Sequence, residues 1–158
     1  MKGTAWLCLP LILFAACATA DRPTAASTSN ARLVSSLYEA FGRGDVPAVL
    51  GAFDQNVIWE EAEGSNYADK SPYRGPQAVA EGLFQRLGTE WNGFRVNPQQ
   101  IIDGGETVVV LGRYAGTYKR TGKPLDSQFA HVWTVRNGRV VKFQQYTDTA
   151  QYARVTGL

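Results

Sequence analysis

The chain has 158 residues, which is enough for one domain with its own hydrophobic core. Its 16 basic and 14 acidic residues nearly balance, and this argues against nucleic acid as a partner bound through charge. Both cysteines, Cys8 and Cys17, lie near the start of the chain, so the domain that follows has neither a disulfide nor a thiol nucleophile.

Residues 1–20 have the layout of a secretory signal. Lys2 precedes an apolar stretch that is too short to span a bilayer and that ends in small residues. Cleavage after residues 18–20 leaves Asp21 first, whereas residues 14–17 resemble a bacterial lipoprotein signal that would place a lipid on Cys17. We expect an exported protein, periplasmic or secreted, whose only membrane contact is that lipid. Residues 21–30 are small and polar, which is typical of a flexible linker, and the domain is expected over 31–158.

Hydrophobic periodicity predicts the elements of this domain in chain order. Apolar residues at helical spacing run from Leu33 to Phe41, and Asp45 is placed to cap a second, short helix. Gly75 and Pro76 open a third helix. The predicted strands cover residues 56–61, 93–102, 106–118 and the two arms of a hairpin over 128–147. This order indicates an α+β domain in which three helices cover one side of a curved antiparallel sheet.

The hairpin carries the only histidine of the chain, His131. Its turn is Asn137-Gly138, the dipeptide that most readily adopts positive φ at both central positions. Period-two alternation places His131 on an apolar face. The residues predicted to share that face are Phe129, Trp133, Val135, Val141, Phe143, Gln145 and Thr147.

The opposite face of the sheet is also predicted to be apolar. The residues assigned to it are Val108, Val110, Tyr114, Tyr118, Val132 and Tyr146. An apolar outer face would be costly in water, so a homodimer through the sheet is expected.

Three motifs carry a resemblance to a known family. They are LYEAFGRGDVPAVLGAFDQNVIWEE near the start, YRGPQAVAEGL before the third helix and HVWTVRNGRVVKFQQYTDT near the end. Together with the element order, they resemble the nuclear transport factor 2-like superfamily, and within it the SnoaL-like, ketosteroid-isomerase-related proteins. The resemblance implies a cone-shaped, cystatin-like sheet that wraps an apolar pocket closed by the helices.

The resemblance also implies roles for individual residues. Ketosteroid isomerases move a proton with a carboxylate at the end of the first strand, a position that falls on Glu61. They stabilise the oxyanion with a late-strand acid, here His131, and with a helix tyrosine whose position falls on Leu37. Tyr38 is expected to point elsewhere on the helix. The implied lining of the pocket is Trp59, Arg113, Phe129, Trp133, Phe143, Gln145 and Tyr152, with Tyr73 on a loop over the mouth.

Each of these residues has a structural alternative. His131 is either a hydrogen-bond donor to a substrate oxygen or a core ring bonded within the protein. Glu61 is either a general base, with its pKa raised by apolar neighbours, or a carboxylate at the rim. Arg113 could pair with Glu61 or with a substrate carboxylate. Asp148 is expected to cap a last helical turn.

Two classes of function follow. The first is a cofactor-free isomerase, cyclase or hydratase-like lyase that acts on a small apolar carbonyl compound, with Glu61 as base and His131 as donor. The second is a non-catalytic module that binds a small apolar molecule. No cofactor is expected, and a single histidine with scattered carboxylates predicts no metal site. The two classes differ in whether Glu61 and His131 must face one cavity.

Overall fold

The computed structural model of the protein describes residues 29–157. The predicted signal, the lipid position at Cys17 and most of the predicted linker lie outside these residues. The first helix begins at Ser29, slightly before the predicted start of the domain at residue 31. The helices are α1 (Ser29–Gly42), α2 (Val46–Gly51), α3 (Pro76–Val79), α4 (Gln85–Glu90) and α5 (Thr149–Thr156). Within the described range, none is long and apolar enough to cross a membrane.

Six strands form one sheet in the order β2-β1-β6-β5-β4-β3. They are β1 (Phe53–Glu60), β2 (Tyr73–Arg74), β3 (Trp91–Gly104), β4 (Thr107–Tyr118), β5 (Pro124–Arg136) and β6 (Arg139–Thr147). The predicted α+β class is confirmed, but the sheet is mixed and not wholly antiparallel. Phe53 and Val140, near the starts of β1 and β6, lie side by side, so these two strands run parallel.

The local signals in the sequence form the structures that they predict. The Asp45 carboxylate accepts from the backbone N–H of Ala48 at 3.1 Å and caps α2. Asn137 and Gly138 have φ angles of 51° and 72°, as a tight hairpin turn requires. The carboxylate of Asp148 accepts from the third residue of α5 at 2.9 Å, which confirms its structural role.

A basic turn between β4 and β5 holds the end of α5. Arg120, Thr121 and Lys123 donate from their side chains to the carbonyls of residues 154–156, over 2.6–2.9 Å. The last carbonyls of a helix have no partner within the helix, and cationic side chains also suit its negative end. The basic residues of this turn therefore have a structural task in the domain.

The inward and outward faces of strand β4 are reversed relative to the prediction. Its inward residues are Val108, Val110, Tyr114 and Tyr118, none of which is more than 6% exposed. The prediction that they form an outer face is wrong. Pairing with β5 decides the matter, since Val110 lies opposite His131, which faces the core. Alternation alone could not, because Val109 and Leu111 also give the other face of β4 large apolar residues.

The outer face therefore differs in composition from the predicted one. Of the predicted set only Val132 and Tyr146 lie there, and Tyr146 is 58% exposed. Cross-strand pairing places Val109 beside Val132, and Ala130 beside both Leu111 and Tyr146. These five residues form one patch, which we call the outer patch.

A shift in register sets which residues of β6 face the core. The shift lies between Thr134 and Val135 of β5. As a result Val140 is fully buried, whereas Val141, which was predicted to point inward, is partly exposed. A bulge of this kind interrupts strict alternation. Beyond it, Phe143 and Gln145 point inward as predicted.

The third helix is wound more widely at its centre. A π-helical turn, Ala80–Phe84, separates α3 from α4. Gly82 lies in this turn, and its Cα faces the buried ring of Tyr73 directly, with no room for a Cβ atom. The ring is fixed because its hydroxyl donates to the carbonyl of Tyr67 at 2.7 Å.

Gly82→Ala is accordingly expected to destabilise the protein by about 1–3 kcal/mol, because the new methyl group overlaps a ring that cannot swing away. Gly88→Ala in α4 is the matched control, since no atom outside its own helix turn lies within 4 Å of the position that its new methyl group would take. There the gain in helix propensity should stabilise by roughly 0.5–1 kcal/mol. Urea unfolding of both variants measures the difference, and equal free energies of unfolding would contradict the packing argument.

Candidate functional site

A cavity lies between the helices and the concave face of the sheet. Its volume is about 60 Å³. A single water needs roughly 10–15 Å³ of such space, so the cavity has room for several waters or one small organic molecule. Its walls are formed by Leu37, Tyr38, Phe41, Val49, Trp59, Glu61, Tyr67, Leu83, Phe84, Leu87, Phe94, Val96, Tyr114, His131, Trp133, Phe143, Gln145 and Tyr152.

Glu61 is the only acidic residue in these walls and follows directly after β1. It is 4% exposed. Its Oε1 accepts from the indole N–H of Trp59 at 2.7 Å, while its Oε2 is buried without a hydrogen-bond partner. Burial raises the pKa of Glu61 to about 7, and Trp59 and Gln145 oppose this rise. The carboxyl group can therefore both accept and release a proton near neutral pH.

His131 lies in the middle of a chain of hydrogen bonds. Its Nδ1 is 2.8 Å from the hydroxyl of Tyr38, and its Nε2 is hydrogen-bonded to the hydroxyl of Tyr114. The ring of Phe129 stacks on the imidazole, with 4.0 Å between the ring centroids. Burial lowers the pKa of His131 to about 3, so the ring is neutral at physiological pH.

Two further side chains extend this chain at its ends. Trp133 donates its indole N–H to the Tyr38 hydroxyl at 2.9 Å, and Gln145 donates its amide to the Tyr114 hydroxyl at 2.8 Å. Burial raises the pKa of both phenols, and both therefore keep their protons. The charge of Glu61 raises the pKa of Tyr114 further. We call the series Trp133–Tyr38–His131–Tyr114–Gln145 the histidine network.

The other walls of the cavity are apolar and largely aromatic. Trp59 stacks on Phe143 with 3.7 Å between centroids, and it meets Trp133 edge to face at 5.7 Å. None of the wall residues is a lysine or an arginine. Among residues 29–157, no three His, Cys, Asp or Glu side chains form a group that could hold a metal ion.

The structure brings most of the predicted site residues into this one cavity. Glu61 and His131, the predicted base and donor, both belong to its walls. The predicted lining residues that also do so are Trp59, Trp133, Phe143, Gln145 and Tyr152.

Three predicted lining residues lie elsewhere. Arg113 points out of the sheet because β4 has the opposite orientation, and it pairs with Asp126 at 2.7 Å instead of with Glu61. Phe129 lies behind His131, with its ring over Gly112, which has no side chain to occupy that space. Tyr73 is buried between Gly82 and Tyr67 instead of covering the mouth.

The sequence prediction missed the two phenols of the histidine network. Tyr38 was expected to point away, yet it is 9% exposed and reaches His131. Leu37 and Tyr38 both face the cavity because α1 lies across the sheet and buries a wide stripe. Tyr114 was assigned to the outer face together with the rest of β4.

A polar cluster around Arg86, which sequence reasoning also missed, fixes the segment after Glu61. The guanidinium contacts Asp69 at 2.8 Å and Glu90 at 3.2 Å, and it lies 4.7 Å from the ring centroid of Tyr67. Tyr67 in turn donates to Glu90 at 2.9 Å. Because Tyr67 is a wall of the cavity, this cluster holds one side of the site in place.

Comparisons with known proteins agree with this architecture. The model of the SnoaL-like domain family matches residues 34–143. An NTF2-like protein from Burkholderia thailandensis is 37% identical, with 79% of this chain and 95% of that chain covered and a TM-score of 0.76. An NTF2-like protein of unknown function from Burkholderia pseudomallei is 34% identical, with coverages of 83% and 100% and a TM-score of 0.75.

A third solved structure shares the fold at lower identity. IdmH from Streptomyces antibioticus, described as a candidate polyketide cyclase, is 19% identical, with coverages of 83% and 100% and a TM-score of 0.68. No curated protein matches the chain in sequence. The family model spans well over half of the chain, and the fold described above is that of its structural neighbours. The chain belongs to the SnoaL-like domain family.

Proposed function

We propose that the protein binds a small, uncharged, apolar carbonyl compound and transfers a proton at the carbon next to the carbonyl, without a cofactor. The observation that carries this proposal is the buried Oε2 of Glu61, which has no partner in a cavity whose walls also include Tyr38 and Tyr114. An acceptor and a hydroxyl donor in one apolar cavity match the two polar needs of enolisation.

In the proposed reaction the proton moves between the substrate and Glu61, and no other reactant is needed. The carboxylate takes the proton from the carbon, the electrons of the C–H bond form a C=C bond, and the carbonyl oxygen gains negative charge. A phenolic O–H stabilises that charge. Return of the proton to another carbon gives isomerisation, attack of the enolate on a second carbonyl gives cyclisation, and loss of a β-hydroxyl group as water gives a lyase reaction.

The proposal moves the donor role from His131 to its neighbours. Both ring nitrogens of His131 are already bonded, to Tyr38 and to Tyr114, and the ring is neutral. A phenol hydroxyl in the cavity wall is the donor that a substrate oxygen can reach. His131 then orients the phenols without touching the substrate, as a positioning residue. This role combines the two interpretations of His131, as a participant in the reaction and as a core ring bonded within the protein.

Charge and size narrow the substrate class. A cavity with no lysine or arginine in its walls and with one carboxylate repels anions. The volume of about 60 Å³ argues against a fused polycycle. The candidate polyketide cyclase activity of IdmH is one reaction of the proposed type, on another protein of this fold.

Hydrogen–deuterium exchange tests the proposal without knowledge of the natural product. Monocyclic ketones such as cyclohexanone and acetophenone are incubated with the domain in D₂O, and NMR follows deuterium entering next to the carbonyl. Thermal shifts with the same ketones and with the matching alcohols measure binding. Exchange above the buffer rate supports the proposal. Ketone binding without exchange would leave the non-catalytic binding module as the function.

We infer that the domain acts outside the cytoplasm, because residues 1–20 have the layout of a signal. Mass spectrometry of the mature N-terminus in a bacterial host decides this. Asp21 as first residue means soluble export, a lipid on Cys17 means an anchored protein, and an intact Met1 would refute both.

We also infer that two copies pair through the outer patch, which joins Val109, Leu111, Ala130, Val132 and Tyr146 on three neighbouring strands. A continuous apolar patch on a sheet suits a second copy of itself. Light scattering at micromolar concentration should give the dimer mass for the domain and the monomer mass for Tyr146→Lys. A monomer mass for the unchanged domain would refute the dimer.

A further inference from the structure

The hydrogen atoms of the histidine network can be counted from its geometry. Each phenol has one hydroxyl hydrogen and can accept two hydrogen bonds. Tyr38 already accepts the indole N–H of Trp133, and Tyr114 already accepts the amide of Gln145. Trp133 and Gln145 are the donors in these two contacts, so neither of them can accept the hydroxyl hydrogen of its phenol. Each hydroxyl hydrogen must therefore go to His131 or into the cavity.

The imidazole between them can receive only one of the two hydrogens. A neutral ring has one N–H and one bare nitrogen. If Tyr38 donates to a bare Nδ1, then Nε2–H donates to Tyr114, and the hydrogen of Tyr114 has no partner in the network. If Tyr114 donates to a bare Nε2, then the hydrogen of Tyr38 has none. In both cases one O–H is left over beside the cavity that both phenols line.

We propose that His131 is a tautomeric bridge, which keeps one phenol hydroxyl of the Tyr38–Tyr114 pair free to donate to a ligand oxygen and which selects that phenol by the position of its ring proton. The ligand atom in this statement rests on the proposed function. The bridge itself rests on the contacts of His131 and on a neutral ring, and not on the identity of a ligand. It makes His131 a positioning residue and makes Tyr38 and Tyr114 alternative donors for one ligand oxygen.

Two variants should move the ring proton in opposite directions. In Tyr38→Phe, a protonated Nδ1 would leave an N–H unpaired against an apolar ring, so the proton should lie on Nε2 and donate to Tyr114. In Tyr114→Phe, the same reasoning places the proton on Nδ1, where it donates to Tyr38. A side chain that is only packed in the core has no reason to exchange tautomers between these variants.

The single histidine of the chain makes this measurable by ¹⁵N NMR of protein labelled at histidine. Long-range ¹H–¹⁵N spectra assign the protonated nitrogen in the full domain without a ligand. Tyr118→Phe is the matched control, because Tyr118 is buried on β4 as Tyr114 is, but its ring contacts Trp91 and not His131. It should keep the wild-type spectrum. The same tautomer in both test variants, or a wild-type ring with both nitrogens protonated at pH 7, would overturn the bridge.

Ligand affinity gives an independent result. With a ketone that binds in the exchange assay, Tyr38→Phe and Tyr114→Phe should each weaken binding. The double variant should weaken it about tenfold more than the product of the single effects, because no phenol then remains to replace the other. A double effect equal to that product would overturn the alternative-donor role. Opposite tautomers without any deuterium exchange would keep the bridge and reject the proposed reaction, so the two failures are distinguishable.

Discussion

Glu61→Gln is expected to lower the rate of deuterium exchange by about 10²–10⁴-fold, the usual contribution of a positioned general base. Ketone affinity should stay within about threefold, since the amide has nearly the shape of the carboxyl group and Trp59 can still donate to its oxygen. Two quantities are measured for each protein: the exchange rate at saturating ketone and the dissociation constant of the ketone. An unchanged rate would remove Glu61 from the reaction.

The same change should make the fold more stable at neutral pH. The pKa of Glu61 is about 7 in the folded protein against an ordinary value of 4.5, so the unfolded chain releases this proton more readily. Below pH 4.5 the carboxyl group is protonated in both the folded and the unfolded protein, so it does not lower the free energy of unfolding. Above pH 7 the buried charge costs roughly 3 kcal/mol. Glu61→Gln removes this cost, less the cost of its own unpaired amide hydrogens.

Glu60→Gln is the matched control for both measurements. Glu60 precedes Glu61, lies on the opposite side of the strand and pairs with Lys142 at 2.8 Å on the partly exposed surface. Its exchange rate should equal that of the unchanged domain, and its free energy of unfolding should differ by less than about 1 kcal/mol. A lower rate in Glu60→Gln would mean that bulk charge, and not a positioned base, governs exchange.

Local signals predicted the frame of the site well. The Asn137-Gly138 turn and the alternation before it place His131 and Trp133 on the concave face, as observed. Glu61 follows a strand whose inward residues include Trp59, and it lies in the cavity as the resemblance implied. These predictions depend on a turn type and on one strand direction, both of which are encoded within a few residues.

Long-range register explains what sequence reasoning missed. Both faces of β4 carry large apolar residues, so periodicity alone did not show that Tyr114 points inward and Arg113 outward. Gly112 was the available clue, because a residue without a side chain on an inward face makes space for a partner ring, here Phe129. The role of Tyr38 required the position of α1 on the sheet, which tertiary packing decides.

The opposing pKa shifts of Glu61 and His131 should give the protein an unusual dependence of stability on pH. His131 has a pKa of about 3 in the folded protein against an ordinary value of 6.5, so between these values only the unfolded chain binds the proton. The free energy of unfolding therefore decreases as the pH is lowered below 6.5. Glu61 acts in the opposite sense between pH 7 and 4.5. From pH 6.5 to 4.5 the two slopes cancel, and below pH 4.5 only the loss from His131 remains.

His131→Phe and Glu61→Gln should separate these two slopes. Without His131, two phenols lose a partner and the protein is less stable at pH 7, but this gap should close by roughly 5 kcal/mol as the pH falls from 6.5 to 3. The advantage of Glu61→Gln should instead grow by roughly 3 kcal/mol from pH 4.5 to 7. Urea unfolding across the pH range where each protein folds measures both differences relative to the unchanged domain. A difference that stays constant with pH for His131→Phe would mean that the ring is not held neutral by burial, and the tautomeric bridge would then lose its basis.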